Sequence, residues 1–318
     1  MQILKPSNFA FFLIIAVSCA HAAAQSNDES GKQKVRTVTI PITIYTKKEL
    51  RTNQAEEFIK ADRLIVREDK EEQTILSIRS VTDSSLALAI LIQNDVTSNF
   101  NLQIPDLGAF IRALPKGTRV MVAYIRGGSV LVRQKFTDDL DKAARALTIV
   151  SGSSIVNGNG PYDGVTDVMR RFDGLPVGRR AVMLVSDGYD GIAGGPVIQS
   201  SQSPALDQAI TRAQRQGVAV YSIYSPTAFT ESGRAAVVFS AQSALQRLSD
   251  ETGGRAFFQG TGAPVSFNPF FKDLNILINR QFALTYLSTH MNRGYHKVEI
   301  TSTNPEIKIE HPKGYFYR

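Results

Sequence analysis

Tryptophan is missing from this 318-residue sequence, and cysteine occurs only once, at Cys19. A lone cysteine builds neither a disulfide framework nor a cysteine metal site, so stability must come from a buried core. Blocks of one charge are missing too. The formal net charge is +7, and its Lys and Arg residues are spread along the chain. A nucleic-acid binder concentrates them in a patch with interleaved aromatics. The surplus reads as a solvated basic surface, and no nucleic acid is expected as a partner.

Several catalytic signatures are also missing. Gly158-Asn159-Gly160 would need a third glycine at position 163 to read as a dinucleotide fingerprint, and Asp163 stands there. No phosphate loop with Gly-Lys-Ser or Gly-Lys-Thr occurs, and Ser151-Gly152-Ser153-Ser154 is not a Gly-x-Ser-x-Gly elbow. Beyond residue 24 the histidines are His290, His296 and His311, and they read as surface residues of a C-terminal β region. The acidic pairs Glu68-Asp69 and Asp138-Asp139 fall at turn or helix-start positions, where solvation and helix dipoles account for them.

What is present begins with a segment unlike the rest. Among residues 1–24, Lys5 is the only Lys, Arg, Asp or Glu; an apolar run from Phe9 to Val17 follows, and Ala22-Ala23-Ala24 precedes Gln25. This is the pattern of a secretory signal peptide, and the run is too short to span a bilayer comfortably. An exported protein is expected, periplasmic, on the cell surface or secreted, with no transmembrane segment in the mature chain. Cleavage after Ala24 removes Lys5 and Cys19 and lowers the formal charge to +6. Lipid attachment at Cys19 fits less well, because no Leu stands three residues before it. Residues 25–33 are polar and without hydrophobic period, as in a flexible leader.

Residues 34–83 carry strand signals: Val35 to Tyr45, Leu64 to Val66, and Thr74 to Ile78. Pro41 suggests an edge position or a bulge. From residue 84 to 281 unbroken apolar runs alternate with amphipathic helical stretches. The runs include Leu86 to Ile92, Arg119 to Tyr124, Ala181 to Ser186 and Val218 to Tyr224; the helical stretches include Pro105 to Leu114, Leu140 to Val150, Asp163 to Phe172, Ala205 to Gln216, Ala241 to Glu251 and Pro269 to Arg280. This alternation predicts an α/β fold with a doubly wound, mostly parallel, Rossmann-like sheet covered on both faces. Residues 282–318 return to β, and a small β module formed by strands from both chain ends is expected.

Ligands of open parallel sheets gather at the carboxyl ends of the strands. Two such ends are polar: Asp95-Val96-Thr97-Ser98-Asn99, after the first strand of the α/β region, and Ser186-Asp187-Gly188-Tyr189, after a central one. Carboxylates, hydroxyls and amides facing each other suit a hard cation, Mg²⁺ or Ca²⁺. Capping of the following helix by Asp95 and Asn99 is the plainer alternative.

The order apolar strand, Asp-x-Thr-x-Asn, helix, strand pair, Tyr162-Asp163, then strand with Ser186-Asp187-Gly188 resembles the von Willebrand factor A domain and its metal-ion-dependent adhesion site. It is similar to the VWFA-related domain proteins of Acidobacteria. The resemblance implies metal ligation by Asp95, Thr97, Asn99, Asn159 and Asp187. Asn99 replaces a serine of the family pattern and Asn159 a threonine, so the site is degenerate. It further implies binding of a protein partner through an acidic side chain on the metal, without catalysis. Tyr189, beside Asp187, is expected to be exposed and reads either as a contact residue for such a partner, since aromatics are enriched at interface hot spots, or as a lone exposed tyrosine. A metal-independent scaffold of an envelope complex is the alternative. A metal-assisted hydrolase ranks last, since no general base accompanies the proposed ligands.

Overall fold

The computed structural model describes residues 34–52, 64–80, 84–152, 160–191, 200–232 and 235–317. The expected signal peptide, the leader and Asn159 lie outside the described residues. No helix among the described residues is long and apolar enough to cross a membrane.

Two sheets organise the chain. The first contains β1 (Arg36–Thr46), β2 (Leu64–Glu68), β3 (Glu71–Arg79), β10 (Gln281–Ser288), β11 (Gly294–Ser302), β12 (Ile307–Glu310) and β13 (Gly314–Tyr317). The second contains β4 (Ala87–Gln93), β5 (Arg119–Arg126), β6 (Ser129–Thr137), β7 (Arg180–Ser186), β8 (Val218–Tyr224) and β9 (Ala256–Phe257).

Strands β4, β7 and β8 are buried at every position. A strand without polar alternation needs cover on both faces, and the pleat divides its side chains between them. Leu88, Ile90 and Ile92 enter one apolar cluster, whereas Ala87, Ala89 and Leu91 enter another. Helices α2 (Ile104–Arg112), α3 (Leu140–Arg145) and α8 (Asn268–Asn279) cover the first face. Helices α4 (Pro161–Met169), α5 (Pro204–Gln216) and α7 (Ala235–Thr252) cover the second. Two short helices, α1 (Lys47–Thr52) and α6 (Ala228–Ser232), complete the set.

The strand order of this second sheet is β6-β5-β4-β7-β8-β9. Only β6 is antiparallel to its neighbour. The expected doubly wound, mostly parallel architecture is present. After β4 the chain moves outward to β5 and β6, then returns on the other flank of β4 to form β7. The order therefore reverses between β4 and β7, and a crevice opens at their carboxyl ends.

Local expectations differ at a few elements. Leu140 to Val150 is helical only as far as Arg145. Beyond it the Tyr124 hydroxyl takes the Thr148 N–H at 2.8 Å and donates to its carbonyl at 2.7 Å, and Asn101 Oδ1 accepts the Val150 N–H at 2.8 Å. Side chains have replaced the helical ladder. Helix α7 starts before Ala241, at Ala235, and strand β13 was not foreseen.

The other sheet is antiparallel throughout, in the order β12-β1-β10-β3-β2-β11-β13. The two ends of the chain pair directly, β1 with β10 from Arg36↔Ser288 to Thr43↔Gln281, and β2 with β11. The period of two in β1 puts Val38, Ile40, Ile42 and Ile44 into one core. Strand β1 lies inside the sheet and not at its edge, but β12 covers it only from Thr43 to Thr46. At Pro41 the strand is thus flanked on one side alone, where a missing N–H is tolerated.

Arg179 joins the two sheets. Its guanidinium, 1% exposed, donates to the carbonyls of Ser84, Ile278 and Gln281, each at 2.8 Å. Those carbonyls belong to the approach to β4, the last turn of α8 and the start of β10. Among the described residues no carboxylate bridges to Arg179, and burial lowers its pKa to about 10. It remains charged at neutral pH. Replacement by Ala leaves three carbonyls without their donor, each such loss costing ~1–3 kcal/mol. Arg179→Ala should lose at least about 3 kcal/mol in urea unfolding; a midpoint unchanged from the parent would show that the junction is held by other contacts.

Candidate functional site at the switch point

The polar end of β4 begins two residues before Asp95, at Gln93. Gln93 is the last residue of a strand that is otherwise apolar, and its buried side chain reaches across to β7. Its Oε1 accepts from Ser186 Oγ at 2.5 Å and from the Asp187 N–H at 3.1 Å. The same side chain lies near both carboxyls and works to lower the pKa of Asp95 and of Asp187. One amide therefore links the ends of the two strands that flank the switch point.

Asp187 is 2% exposed. Its Oδ1 accepts the Tyr189 N–H at 3.0 Å, and its Oδ2 accepts the Thr227 hydroxyl at 2.7 Å and that of Thr230 at 3.5 Å. Thr227 follows β8, and the loop carrying it is fixed to the first strand end by a Val96↔Thr227 bridge and by the Thr97 N–H to Pro226 carbonyl bond of 2.8 Å. Three consecutive parallel strands thus converge on one carboxylate.

Gly188 supplies the turn after Asp187, with φ of 70°. A Cβ there would meet the Ala241 carbonyl oxygen at 2.6 Å, so both conformation and space require glycine. The Gly188 carbonyl accepts from the buried Tyr162 hydroxyl at 2.8 Å. Tyr189 is half-buried and not exposed as expected: its ring lies 4.8 Å from that of Phe229.

The electrostatics follow from this burial. Desolvation pushes the Asp187 carboxyl up to about 6, against hydrogen bonds from Thr227 and the Tyr189 amide; the Asp95 charge adds to the rise. Asp95 is also raised by burial, with Gln93 and its own amide opposing. Both anions are disfavoured in the same crevice. A divalent cation would reverse that cost.

Thr97 precedes a 3₁₀ turn, Ser98–Gln103, and its side chain makes no capping bond. Its Oγ1 is buried and has no partner among the described residues. The N-cap position is thus held by Thr97, and not by Asp95 or Asn99 of the capping alternative. Asn99 lies on that turn with an exposed side chain. Of the five expected ligands, then, Asp95, Thr97 and Asp187 belong to the crevice, Asn99 sits at its exterior, and Asn159 is outside the described residues. Gln93, Thr227 and Thr230 were missed. A polar residue closing an apolar strand was the available signal for Gln93; Ser225-Pro226-Thr227 after β8 was the signal for the threonines.

The sequence matches no protein-family model and no curated protein. Solved structures similar to it include an aerotolerance-related membrane protein from Bacteroides fragilis, at 15% identity and TM-score 0.44, covering 61% of this chain and 99% of that one. BatB from Bacteroides thetaiotaomicron is similar at 14% identity and TM-score 0.44, over 61% and 97%. A von Willebrand factor type A structure from Catenulispora acidiphila is similar at 12% identity and TM-score 0.40, over 88% and 73%. Von Willebrand factor A domains are thus among the structures this chain is similar to. Its own strand order defines the architecture.

The raised Asp187 pKa has a definite sign in stability. Between the unfolded value of 3.8 and the folded value of about 6, the native state binds the extra proton. Stability from this group is therefore lost as pH rises through that window, by about 3 kcal/mol in total. In chelator-treated buffer, Asp187→Asn should remove the loss, so its unfolding free energy relative to the parent should climb between pH 4 and pH 7. A difference constant with pH would mean that Asp187 titrates as an ordinary carboxyl.

Proposed function

We propose that this chain is an exported protein-binding module of the von Willebrand factor A type, akin to bacterial VWFA-related proteins, with a degenerate metal-ion-dependent adhesion site. Export rests on the signal-peptide pattern of residues 1–24. The cation is Mg²⁺ or Ca²⁺, both of which take oxygen ligands and keep waters. Asp95, Thr97 and Asp187 hold it, with Asn99 and Asn159 at the serine and threonine places of the family pattern. One observation carries the reading: the buried Thr97 hydroxyl, without a partner among the described residues, stands on the same strand end as a carboxylate raised by desolvation.

When bound, the cation supplies an electrophilic point for one carboxylate oxygen of a partner protein. The chain's own residues do the positioning. Gln93 ties the end of β4 to Ser186 and to the Asp187 backbone N–H, and the Thr227 hydroxyl orients the Asp187 carboxylate. Among the described residues no histidine stands at this edge of the sheet, since His290, His296 and His311 all belong to the antiparallel module. That supports binding without bond cleavage.

A metal-independent scaffold is the second reading, and one observation favours it: both Asp187 oxygens already accept hydrogen bonds. Thermal shift separates the two. A ligand of the folded state at a hundred times its Kd adds about 2.7 kcal/mol, which is roughly 4–5 °C for a chain of this size. Mg²⁺ or Ca²⁺ should raise the Tm of the parent and leave Asp95→Ala unmoved. Identical melting of the parent in chelator and in millimolar cation would leave only the scaffold.

A further inference from the structure

The sharpest departure from expectation lies in the antiparallel module. Glu68 and Asp69 read as a solvated turn and His296 as a surface residue, yet Glu68 is 0% exposed and His296 4%. Their ligand atoms lie within 4.8 Å of one another. Glu68 ends β2, Asp69 opens the turn to β3, and His296 lies in β11, so both ends of the chain contribute.

The two nitrogens of His296 meet different groups. Nε2 is 2.7 Å from the Asn292 carbonyl oxygen. A carbonyl only accepts, so Nε2 carries the hydrogen. In the neutral ring, Nδ1 is then a lone pair, and it faces Asp69 Oδ2 at 2.8 Å and Glu68 Oε1 at 3.4 Å. A lone pair directed at two carboxylate oxygens requires an electrophile among them, either a proton or a metal ion. A ring N–H held by a backbone carbonyl is also the usual support of a metal-ligating histidine.

Two further atoms favour the metal. Glu68 Oε2 and His290 Nδ1 are buried with no hydrogen-bond partner among the described residues. His290 Nδ1 lies 3.6 Å from Glu68 Oε1. Ligand atoms ~2.0–2.2 Å from a tetrahedral Zn²⁺ stand roughly 3.3–3.6 Å apart; the 3.4 Å between His296 Nδ1 and Glu68 Oε1 matches this, whereas the 2.8 Å between Nδ1 and Asp69 Oδ2 would have to open by about half an ångström. The rest of the shell is already engaged: Ser288 and Tyr315 hydroxyls donate to Glu68 Oε1 at 2.8 and 2.7 Å, and the Lys297 N–H donates to Asp69 Oδ1 at 2.8 Å. Arg36 Nη2, 3.6 Å from Glu68 Oε1, offsets part of one negative charge.

The geometry points to a second cation site, separate from the switch-point crevice, in which Glu68, Asp69 and His296 bind a zinc-class transition-metal ion that staples the N-terminal β2–β3 turn to the C-terminal β11, with His290 beside Glu68 as a supporting group outside the ligand set. Mixed imidazole and carboxylate donors select Zn²⁺ over Mg²⁺ or Ca²⁺, which take oxygen alone.

Zinc chloride titrated calorimetrically into the metal-stripped chain should bind one ion per molecule, in the presence of millimolar Mg²⁺. His296→Gln should weaken that binding at least about 100-fold and His290→Gln by about 10-fold or more, while Asp95→Ala leaves it unchanged. Co²⁺ in the unsubstituted chain should give the intense visible absorption of tetrahedral coordination, a readout independent of how the variants fold. Absence of zinc binding, absence of that absorption, or binding that His296→Gln does not weaken in a variant with parental circular dichroism would overturn the site and leave a proton on His296.

Discussion

A buried guanidinium ties the two sheets together at the start of β7, alongside the Thr43–Tyr221 hydroxyl pair and the Arg255–Glu310 ion pair that also join them. Arg179 donates to three backbone carbonyls from three elements, and each of those carbonyls would otherwise be a buried acceptor without a donor. The planar, multiply donating head of arginine suits such a task, whereas an ammonium presents a single point. Arg179 also immediately precedes β7. The position of β7 beside β4 therefore depends on the same contact that seats the antiparallel module.

From that placement the crevice follows. With β4 and β7 adjacent and parallel, their carboxyl ends bring Asp95 and Asp187 into electrostatic contact, and Gln93 spans the two ends. Burial makes the anions costly, and the Thr227 hydroxyl from a third strand end and the Tyr189 N–H offset only part of that cost. Such an arrangement suits the capture of a cation. The antiparallel module repeats the motif in another form: Glu68 is buried, ringed by hydroxyl donors, and faced by histidine.

The Asp95 and Asp187 strand ends were legible because an apolar run that gives way to polar and acidic residues marks both a buried strand and its carboxyl edge. The same logic did not reach Gln93, whose side chain is read only once its neighbour is known. Tyr189 looked exposed because it follows a turn, but the α6 residue Phe229 covers it. His296 looked like a surface strand residue, because nothing near it in the chain announces an acid that lies 227 positions away.

By itself the sequence determined the periodicities: unbroken runs for strands buried on both faces, 3.6-residue stripes for the helices that cover them, and alternation at both chain ends. Those patterns are local, and a local pattern specifies an element and its buried face. Tertiary structure alone decided the β1–β10 pairing, the seat of Arg179, the Gln93 link between two strand ends and the meeting of Glu68 with His296. Each joins residues far apart in the chain, so its free energy resides in desolvation and hydrogen-bond geometry that exist only after the sheets have assembled.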